Sequence, residues 1–393
     1  MDKSFGAAVK RIISETDKLL ILLCVVASVF GAVMVYSATI PDITEGQAYS
    51  RDFRTMVIAV VLGLVIAFII SLVDYNIIIK AWPVIAVVCA GLMVLTYFIG
   101  VGPDGRSDVK SWIKLPGGLY FQPSELVKIG FIITFGMHLE LKHDKINELK
   151  TVIFLCVHAA VPTLLVIVTG DLGSALIFMI IFVGMMFMAG LRLLYFGIGI
   201  AAVGIATPFI WKFLLKDLQK DRFLALIHPE DYSDIIYQQK NCITAIGAGK
   251  LTGMGLFNGT FTQANLVPEA QNDMIFSVIG EELGFVGCIV ALGILAAIII
   301  KIIRTAKTAG DRSAALMCYG LASMLIGHIV VNIGMCLMLL PVVGITLPFY
   351  SAGGSSNLCL YIGIGLALSI YRFSLEHNAV NFKLSGIRTP FTE

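Results

Sequence analysis

The chain has 393 residues, of which 58% are hydrophobic and 14% charged, and its mean hydropathy is +0.91. A soluble domain carries about 25% charged residues, so this composition excludes an ordinary soluble protein and indicates a polytopic helical membrane protein. The formal net charge of +2, without a long basic tract, argues against nucleic acid as a partner.

Apolar segments long enough to cross a bilayer core of about 30 Å recur along the chain. We predict ten spans, and therefore an all-α fold consisting of a single transmembrane domain over 1–393. The first span is too long for the apolar core of a cleaved signal peptide. The spans lie at 19–39, 55–73, 79–101, 123–140, 151–169, 172–190, 193–214, 274–302, 314–340 and 354–373.

The distribution of Lys and Arg predicts the orientation, because short cytoplasmic loops carry an excess of both. With the N-terminus inside, sixteen of the 28 basic residues fall on the inner side and eleven on the outer side. Six of those eleven lie in or beside one long loop, and long loops are translocated largely regardless of charge. We therefore expect both termini in the cytoplasm and the chain in the plasma membrane.

Two long segments then lie on the outer side, at 102–122 and about 215–273, the second between the seventh and eighth spans. The second contains a helix-capable stretch, Ser233 to Ala248, and a glycine-rich run, Gly247 to Gly259. That run lacks the Lys-Ser/Thr ending of a phosphate-binding loop, so no nucleotide site is predicted. The eight cysteines form no CxxC pair and no Cys/His metal spacing, so the residues predict no metal site.

Polar residues in apolar spans mark candidate functional positions. Glu125 and Lys128 are three apart in the fourth span, so they share a helix face and can pair. They form either a structural ion pair or the wall of a cavity in which Lys128 offers positive charge to a phosphate. Asp171, at the head of the sixth span, is either a helix cap stabilised by the helix dipole or part of the same cavity. His328 and Asn332 share a face of the ninth span and predict interhelical hydrogen bonds.

The segment 267–284, VPEAQNDMIFSVIGEELG, contains four acids, Glu269, Asp273, Glu281 and Glu282. An ionised carboxylate at the membrane boundary is costly unless it is paired or hydrated. Asp273 is either a helix cap or a partly buried carboxylate with a raised pKa, which suits a general base. Glu281 and Glu282 run deeper into the eighth span, where pairing or helix packing is expected.

Five segments carry a family resemblance: QPSELVK at 122–128, GDLGSAL at 170–176, GLFNGT at 255–260, VPEAQNDMIFSVIGEELG at 267–284 and LPFYSAGGSSN at 347–357. With MVYSAT at 34–39, they cover nearly the whole chain. The sequence resembles the SEDS (shape, elongation, division and sporulation) proteins, the RodA/FtsW/SpoVE group of bacterial cell-wall polymerases. The run from GLFNGT to VPE is more similar to the RodA branch, which favours a role in elongation and cell shape over division or sporulation.

The resemblance implies ten spans, cytoplasmic termini and a peptidoglycan glycosyltransferase that polymerises lipid II in the bacterial cell membrane. It also implies that Asp273 is the essential catalytic aspartate, here the hypothetical general base for the acceptor hydroxyl. Glu125 and Lys128 match the family's PSE..K pair, and Asp171 matches the aspartate of its DLG motif. Lys110 and Trp112 fall in the family's Arg-Ser-Trp region, with lysine where arginine is usual.

We predict a set of substrate-binding residues around Asp273. The developing diphosphate charge needs cations, and the resemblance implies stimulation by a divalent ion. Mg or Mn is expected to bind mainly through the substrate diphosphate, and no protein metal ligands are assigned. The predicted substrate-binding residues are Lys110, Trp112, Glu125, Lys128, Asp171, Lys240, Glu269, Ser355 and Ser356.

Two partners follow from the resemblance: lipid II, the undecaprenyl-diphosphate-linked disaccharide pentapeptide, and a class B penicillin-binding protein that cross-links the product. Two other functions fit the same residues, a lipid II flippase and a non-catalytic scaffold for a transpeptidase. A flippase favours a polar site at the membrane midplane, whereas Glu269 and Asp273 are predicted near the outer surface. A scaffold has no need of Asp273.

Overall fold

The computed structural model describes residues 15–43, 47–102 and 109–386, and within them each of the ten predicted spans coincides with a helix. The all-α polytopic fold is therefore confirmed. The helices are α1 (Lys18–Ala38), α2 (Arg51–Leu72), α3 (Tyr75–Lys80), α4 (Trp82–Ile99), α5 (Pro123–Leu141), α6 (Leu149–Val168), α7 (Leu172–Met188), α8 (Leu193–Phe209), α9 (Asp217–Ile227), α10 (Ser233–Ala248), α11 (Thr260–Gln263), α12 (Ile275–Thr308), α13 (Arg312–Cys336) and α14 (Gly354–Gly386).

Short elements complete the described chain. An antiparallel pair of two-residue strands, β1 (Ile113–Lys114) and β2 (Tyr120–Phe121), lies before α5. Single 3-10 turns span Ile40–Asp42, Pro116–Gly118 and His143–Lys145, and a π-helical turn, Ile210–Leu214, continues α8.

Among the described residues, eight helices are long and apolar enough to cross a membrane, namely α1, α2, α4, α6, α8 with part of its π turn, α12, α13 and α14. The other two helices at predicted spans, α5 and α7, do not meet these criteria of length and apolar composition, for separate reasons. Helix α7 has 17 residues, and α5 has 19 residues but contains Glu125, Lys128 and Glu140. The charged side chains of α5 are tolerated because α5 is buried among other helices rather than exposed to lipid.

Several boundaries differ from the predicted ones. The third span begins at Trp82 rather than 79, because Ala81 forms a turn and Pro83 suits only the first turn of the helix that follows. The ninth span ends at Cys336 rather than 340. In contrast, the loop helix α10 has the same bounds as the predicted helix-capable stretch, Ser233 to Ala248. The basic residues Lys3, Lys10, Arg11, Arg106 and Arg388, which contributed to the predicted orientation, lie outside the described residues.

Small residues allow the closest helix packing. A Cβ added to Gly365 of α14 would lie 2.8 Å from the Ala67 Cα of α2, and one added to Gly63 would lie 2.7 Å from the Tyr361 ring. Such close approach is the usual basis of helix association in lipid. Helices α13 and α14 are the most buried of the eight spans, whereas no residue of α8 from Leu193 to Phe209 is buried.

Helix α12 is interrupted at Gly284, whose φ of 66° and ψ of −164° only glycine adopts readily. The loop 250–255 occupies the break. Two of its N–H groups donate to the carbonyls of Glu281 and Glu282, at 2.9 and 3.0 Å, and two of its carbonyls accept from the two N–H groups after Gly284, at 2.9 and 3.1 Å. Irregular backbone at this depth is tolerated because its polar groups are paired within the protein.

The carboxylates of Glu281 and Glu282 are fully buried and hold the same region. Glu281 accepts from the N–H groups of Phe261 (2.6 Å) and Thr262 (3.0 Å), and Glu282 accepts from the Ser37 hydroxyl (2.5 Å). These two acids therefore tie the 250–263 region to α12 and α1.

Candidate functional site

A groove of about 420 Å³ opens on the face of the bundle that contains the 215–273 segment, which we call the loop face. Distant parts of the chain line this groove together, so it brings polar side chains into one concave site. Its lining residues are Val109, Ser111, Trp112, Gln122, Glu125, Gly170, Asp171, Leu172, Leu218, Gln219, Arg222, Phe223, Gln238, Glu269, Asn272, Asp273, Pro341, Val342, Val343, Gly344, Thr346, Gly353 and Ser356.

Asp273 lies in the groove, half-buried, immediately before α12. Helix α12 begins at Ile275 with Met274 as its N-cap residue and no side-chain cap, so Asp273 is not a helix cap. Opposite it lies Gly344, where an added Cβ would be 3.9 Å from the Asp273 Oδ2. The absence of a side chain at Gly344 leaves space in front of the carboxylate for a substrate.

The pKa of the Asp273 carboxyl is raised from its usual range to about 7. Burial is the main cause because it removes water from the charged form, and the negative charge of Glu269 raises the pKa further. A hydrogen bond from the Asp273 backbone N–H to its own carboxylate and the positive charge of Arg222 oppose this shift. A carboxyl group with a pKa near neutrality can both accept and release a proton at physiological pH.

Glu269 forms the turn that presents Asp273. Its φ is 55°, and its backbone carbonyl accepts from the N–H groups of Asn272 (3.0 Å) and Met274 (3.2 Å). The Asn272 side chain donates to the Glu269 carboxylate at 2.7 Å, and Gln238 of α10 donates to the Pro268 carbonyl at 2.9 Å. The turn is thus tied both to itself and to the loop helix α10.

Asn332 of α13 fixes the backbone of Asp273. Its Nδ2 donates to the Asp273 carbonyl and to the Ile345 carbonyl, both at 2.7 Å. The side chain is fully buried, so these bonds are made without competition from water. Asn332 therefore clamps Asp273 to the 343–346 wall of the groove, a role that extends the predicted interhelical hydrogen bonding.

Glu125, Lys128 and His328 form a chain beneath the groove. Lys128 Nζ lies 2.8 Å from Glu125 Oε1 and 2.8 Å from His328 Nε2, and His328 Nδ1 lies 3.2 Å from the Thr346 carbonyl. The ammonium can only donate, so His328 accepts at Nε2 and donates from Nδ1. Glu125 lines the groove, whereas Lys128 is fully buried behind it. The geometry is that of the structural ion pair, with Glu125 also facing the groove.

Asp171 combines both of its predicted roles. Its Oδ1 accepts from the Ser174 N–H at 2.9 Å and caps α7, and its Oδ2 accepts from Gln122 Nε2 (2.7 Å) and the Ser124 hydroxyl (3.0 Å). It also lines the groove. The cap therefore joins the start of α7 to the start of α5.

The two serines of the GGSS segment differ in position. Ser356 lines the groove, with its hydroxyl 3.0 Å from the Thr346 hydroxyl. Ser355 donates to the Tyr120 carbonyl at 3.0 Å and accepts from the Gln122 N–H at 3.2 Å, so it holds β2 against α14. Trp112 lines the groove, and its backbone pairs with Val101.

The basic residue that lines the groove is not one of the lysines predicted to bind the substrate diphosphate. Lys110 and Lys240 are exposed and lie outside the groove lining, and their predicted substrate contacts stay predictions. Within the described ranges, the basic side chain that lines the groove is Arg222 of α9, whose NH1 donates to the Val342 carbonyl at 2.7 Å. Sequence reasoning missed Arg222 because it resembles any other basic residue of a polar loop helix.

The described residues contain no group of three or more His, Cys, Asp and Glu side chains arranged to hold a metal ion. Glu269 lines the groove and offers a carboxylate there. A single carboxylate is compatible with a Mg²⁺ ion that keeps most of its positions for water and substrate phosphates.

The fold and the groove define a polytopic membrane protein with a half-buried carboxyl, that of Asp273, in a groove at the membrane boundary. The family model of the FtsW/RodA/SpoVE cell cycle proteins matches residues 17–376. The peptidoglycan glycosyltransferase MrdB of Escherichia coli K12 is 32% identical over 342 residues, which cover 86% of this chain and 90% of MrdB. A probable peptidoglycan glycosyltransferase FtsW of Geobacter sulfurreducens is 32% identical over 378 residues, which cover 93% of this chain and 98% of the relative.

Solved structures agree with the fold. A chain from a study of the structural coordination of polymerization and crosslinking by a peptidoglycan synthase complex matches with a TM-score of 0.77 and 25% identity, covering 91% of this chain and 98% of that chain. The rod shape determining protein RodA of Thermus thermophilus matches with a TM-score of 0.66 and 24% identity, covering 91% and 97%. The chain belongs to the FtsW/RodA/SpoVE family, and it is a membrane-embedded glycosyltransferase.

Proposed function

We propose that this glycosyltransferase makes peptidoglycan by polymerising lipid II, with Asp273 as its general base. The observation that carries the proposal is a half-buried carboxyl in the loop-face groove, with space in front of it and a pKa of about 7. The names of its relatives, both peptidoglycan glycosyltransferases, support the substrate class. The test is glycan-strand formation from lipid II by the purified protein and by its Asp273→Asn variant.

In the proposed reaction, the 4-hydroxyl of an acceptor GlcNAc attacks the anomeric carbon of a lipid-linked sugar diphosphate. Its proton passes to Asp273, a glycosidic C–O bond forms, and the bond from the anomeric carbon to the diphosphate oxygen breaks. Lipid diphosphate leaves with the bonding electrons. A single displacement inverts the anomeric centre and needs no nucleophile from the enzyme, which suits one dominant carboxyl rather than the carboxylate pair of a retaining glycosidase.

The leaving diphosphate requires positive charge. Arg222 is the basic side chain that best meets this need, because its guanidinium lines the groove that contains Asp273. A divalent cation, Mg or Mn, would neutralise the diphosphate when bound, and Glu269 offers it a carboxylate from the protein. We assign no protein ligand set beyond this contact, since such ions bind largely through substrate phosphates.

The proposed setting is the bacterial cell membrane, with the loop face outside and both termini in the cytoplasm. A class B penicillin-binding protein is the proposed partner. The TM-score of 0.77 to a chain from a study of a peptidoglycan synthase complex supports a partner of this kind. A role in elongation remains the favoured proposal, since the GLFNGT-to-VPE run is more similar to the RodA branch.

The rate of polymerisation should depend on the ionisation of Asp273. Because its pKa is about 7 and the base must be deprotonated, kcat/KM should rise about tenfold per pH unit below pH 7 and level off above it. Glu269→Gln removes a charge that raises this pKa, so the midpoint should move to lower pH. The measurement is kcat/KM for lipid II between pH 5.5 and 8.5. A flat profile for the wild type would contradict the assignment.

Asn332→Ala should lower kcat about a hundredfold, with little change in KM. The substitution removes the side-chain amide that donates to the Asp273 and Ile345 carbonyls, so the Asp273 backbone is free to shift. A displacement of about 1 Å at the reacting groups can lower the rate about a hundredfold. The measurement is steady-state polymerisation kinetics of the purified variant.

Asn357→Ala is the matched control for this prediction. Asn357 is buried and also donates to two carbonyls, those of Ser351 (2.8 Å) and Gly353 (3.0 Å), but it does not contact Asp273. Both variants should lose similar stability in thermal melts, and Asn332→Ala should lose far more kcat. Equal losses of kcat would show that Asn332 acts only on folding.

A further inference from the structure

A second groove, of about 510 Å³, runs between α1 and α2 on the outside of the bundle. Its walls are small and branched apolar side chains, including Val25, Val29 and Ala32 of α1 and Val57 and Val61 of α2. Such a surface within a membrane span offers contacts to hydrocarbon and no charge to a head group. This α1–α2 groove shares no lining residue with the loop-face groove.

The Ser28 hydroxyl within the α1–α2 groove is already hydrogen-bonded. Ser28 is its hydroxyl-bearing residue from the middle of α1, and the Ser28 hydroxyl lies 2.7 Å from the Tyr361 hydroxyl, with which it shares a hydrogen bond. A ligand here therefore gains apolar burial rather than new hydrogen bonds.

One end of the groove has an aromatic rim. The Tyr36 ring lies edge-on to the Phe53 ring at 5.4 Å and to the Phe257 ring at 5.9 Å between centroids, and all three residues line the groove. Aromatic side chains concentrate at the membrane–water interface. The groove thus begins at the interface on the loop face and descends along α1 and α2 into the apolar layer.

The rim lies beside the segment that contains Asp273. Asp52, the neighbour of Phe53 in α2, accepts a hydrogen bond from Gln271 Nε2 at 3.2 Å. Gln271 is two residues before Asp273, and its carbonyl accepts from the Ala352 N–H at 2.9 Å. A hydrocarbon chain that leaves the α1–α2 groove at its rim therefore emerges next to the segment that contains Asp273.

The dimensions of the groove suit one extended hydrocarbon chain. From Val25 to Tyr36, α1 rises about 16 Å, so the volume of about 510 Å³ corresponds to a mean cross-section of about 30 Å². A cross-section of this size fits a single hydrocarbon chain.

We propose that the α1–α2 groove binds the isoprenoid chain of a lipid-linked sugar substrate. The inference rests on the proposed function, and it adds the site that anchors the apolar part of the substrate while its diphosphate and sugar lie in the loop-face groove. The contact between Asp52 at the rim and Gln271 of the Asp273 segment favours this occupant, because the diphosphate and sugar of the same molecule can then reach the loop-face groove.

Ala32→Trp tests the proposal by filling the middle of the groove. The KM for a substrate with a full-length isoprenoid chain should rise about tenfold, the effect of expelling about two methylene groups from apolar surroundings. The KM for an analogue whose chain is too short to pass the aromatic rim should not change. Ala202→Trp is the matched control, because Ala202 is exposed on α8, away from either groove.

Equal KM changes for long and short chains would overturn the proposal, as would no change for either. Loss of co-purified phospholipid from Ala32→Trp, with an unchanged KM for the long-chain substrate, would assign the groove to bulk lipid and also overturn it. If Ala32→Trp does not fold in thermal melts, Val61→Trp makes the same test from α2, where Val61 is 55% exposed. Wild-type protein that forms no glycan strands would instead refute the proposed function itself.

Discussion

Asp273→Asn should lower the rate of lipid II polymerisation about a thousandfold, within the range expected for the loss of a general base. Asparagine has nearly the same shape as aspartate but cannot accept the proton of the attacking hydroxyl. Because α12 begins without a side-chain cap, the carboxylate is not needed to start that helix. The measurement is glycan-strand length and yield from lipid II, with the purified protein combined with a class B penicillin-binding protein.

The same variant should not lose stability. The pKa of Asp273 is about 7 in the folded chain, above the value of about 3.9 in an unfolded chain. The folded state therefore binds the proton more tightly, and the free energy of unfolding falls as the pH rises from about 4 to about 7. At pH 8 the ionised carboxylate is destabilising, so the neutral asparagine should give an equal or higher melting temperature.

Glu269→Gln is the control for Asp273→Asn. It removes the neighbouring acid from the same groove and leaves Asp273 in place, so its loss of rate near pH 8 should be smaller than that of Asp273→Asn. Polymerisation by Asp273→Asn at the wild-type rate would refute the base assignment. If cells that carry Asp273→Asn still grow, the scaffold function is favoured. If Asp273→Asn synthesises glycan strands normally but no longer translocates lipid II, the flippase is favoured.

Gly284→Ala should destabilise the protein by about 4 kcal/mol or more and greatly reduce the yield of folded protein. Its φ of 66° and ψ of −164° are strained for a residue with a side chain. The added Cβ would lie 2.3 Å from the Gly253 backbone nitrogen and 2.7 Å from the Leu251 carbonyl. Since these are backbone atoms, the 250–255 loop would have to leave the break and lose its hydrogen bonds to α12.

The measurement for Gly284→Ala is the melting temperature and the folded yield in detergent. Gly293→Ala is the matched control, because Gly293 belongs to the same helix and an added Cβ there has no atom within 4 Å. This control should be neutral or slightly stabilising, since alanine favours the helix. If Gly284→Ala melts at the wild-type temperature, the inserted loop does not stabilise the break in α12.

The apolar runs were sufficient to predict the helices at the ten spans, and the position of Asp273 at the edge of one run singled it out, because both signals are local. The boundary errors have local causes too, such as the turn at Ala81 before Pro83. No local feature of the sequence predicted the break in α12 at Gly284. In sequence it is one more small residue in an apolar span, and its role depends on a loop that begins more than thirty residues earlier and fills the break.

The basic residues of the site show the same difference between what the sequence predicts and what packing decides. Lys128 is a conspicuous charge in a span, but its contacts with Glu125 and His328 bury it behind the groove. Arg222 is inconspicuous, yet it lines the groove and bonds Val342, which is 120 positions away in sequence. Which charge meets a substrate depends on helix packing and not on the order of residues.

The sequence by itself determined the class of protein, the positions of the ten apolar spans and the acid at the membrane boundary. The physical reason is that bilayer thickness sets the length of an apolar run and that an ionised carboxylate is costly at its edge. Only the tertiary structure decided the surroundings of Asp273: burial beside Glu269, the clamp from Asn332, the space at Gly344 and the charge of Arg222. These depend on distances between segments far apart in the chain, which side-chain packing alone establishes.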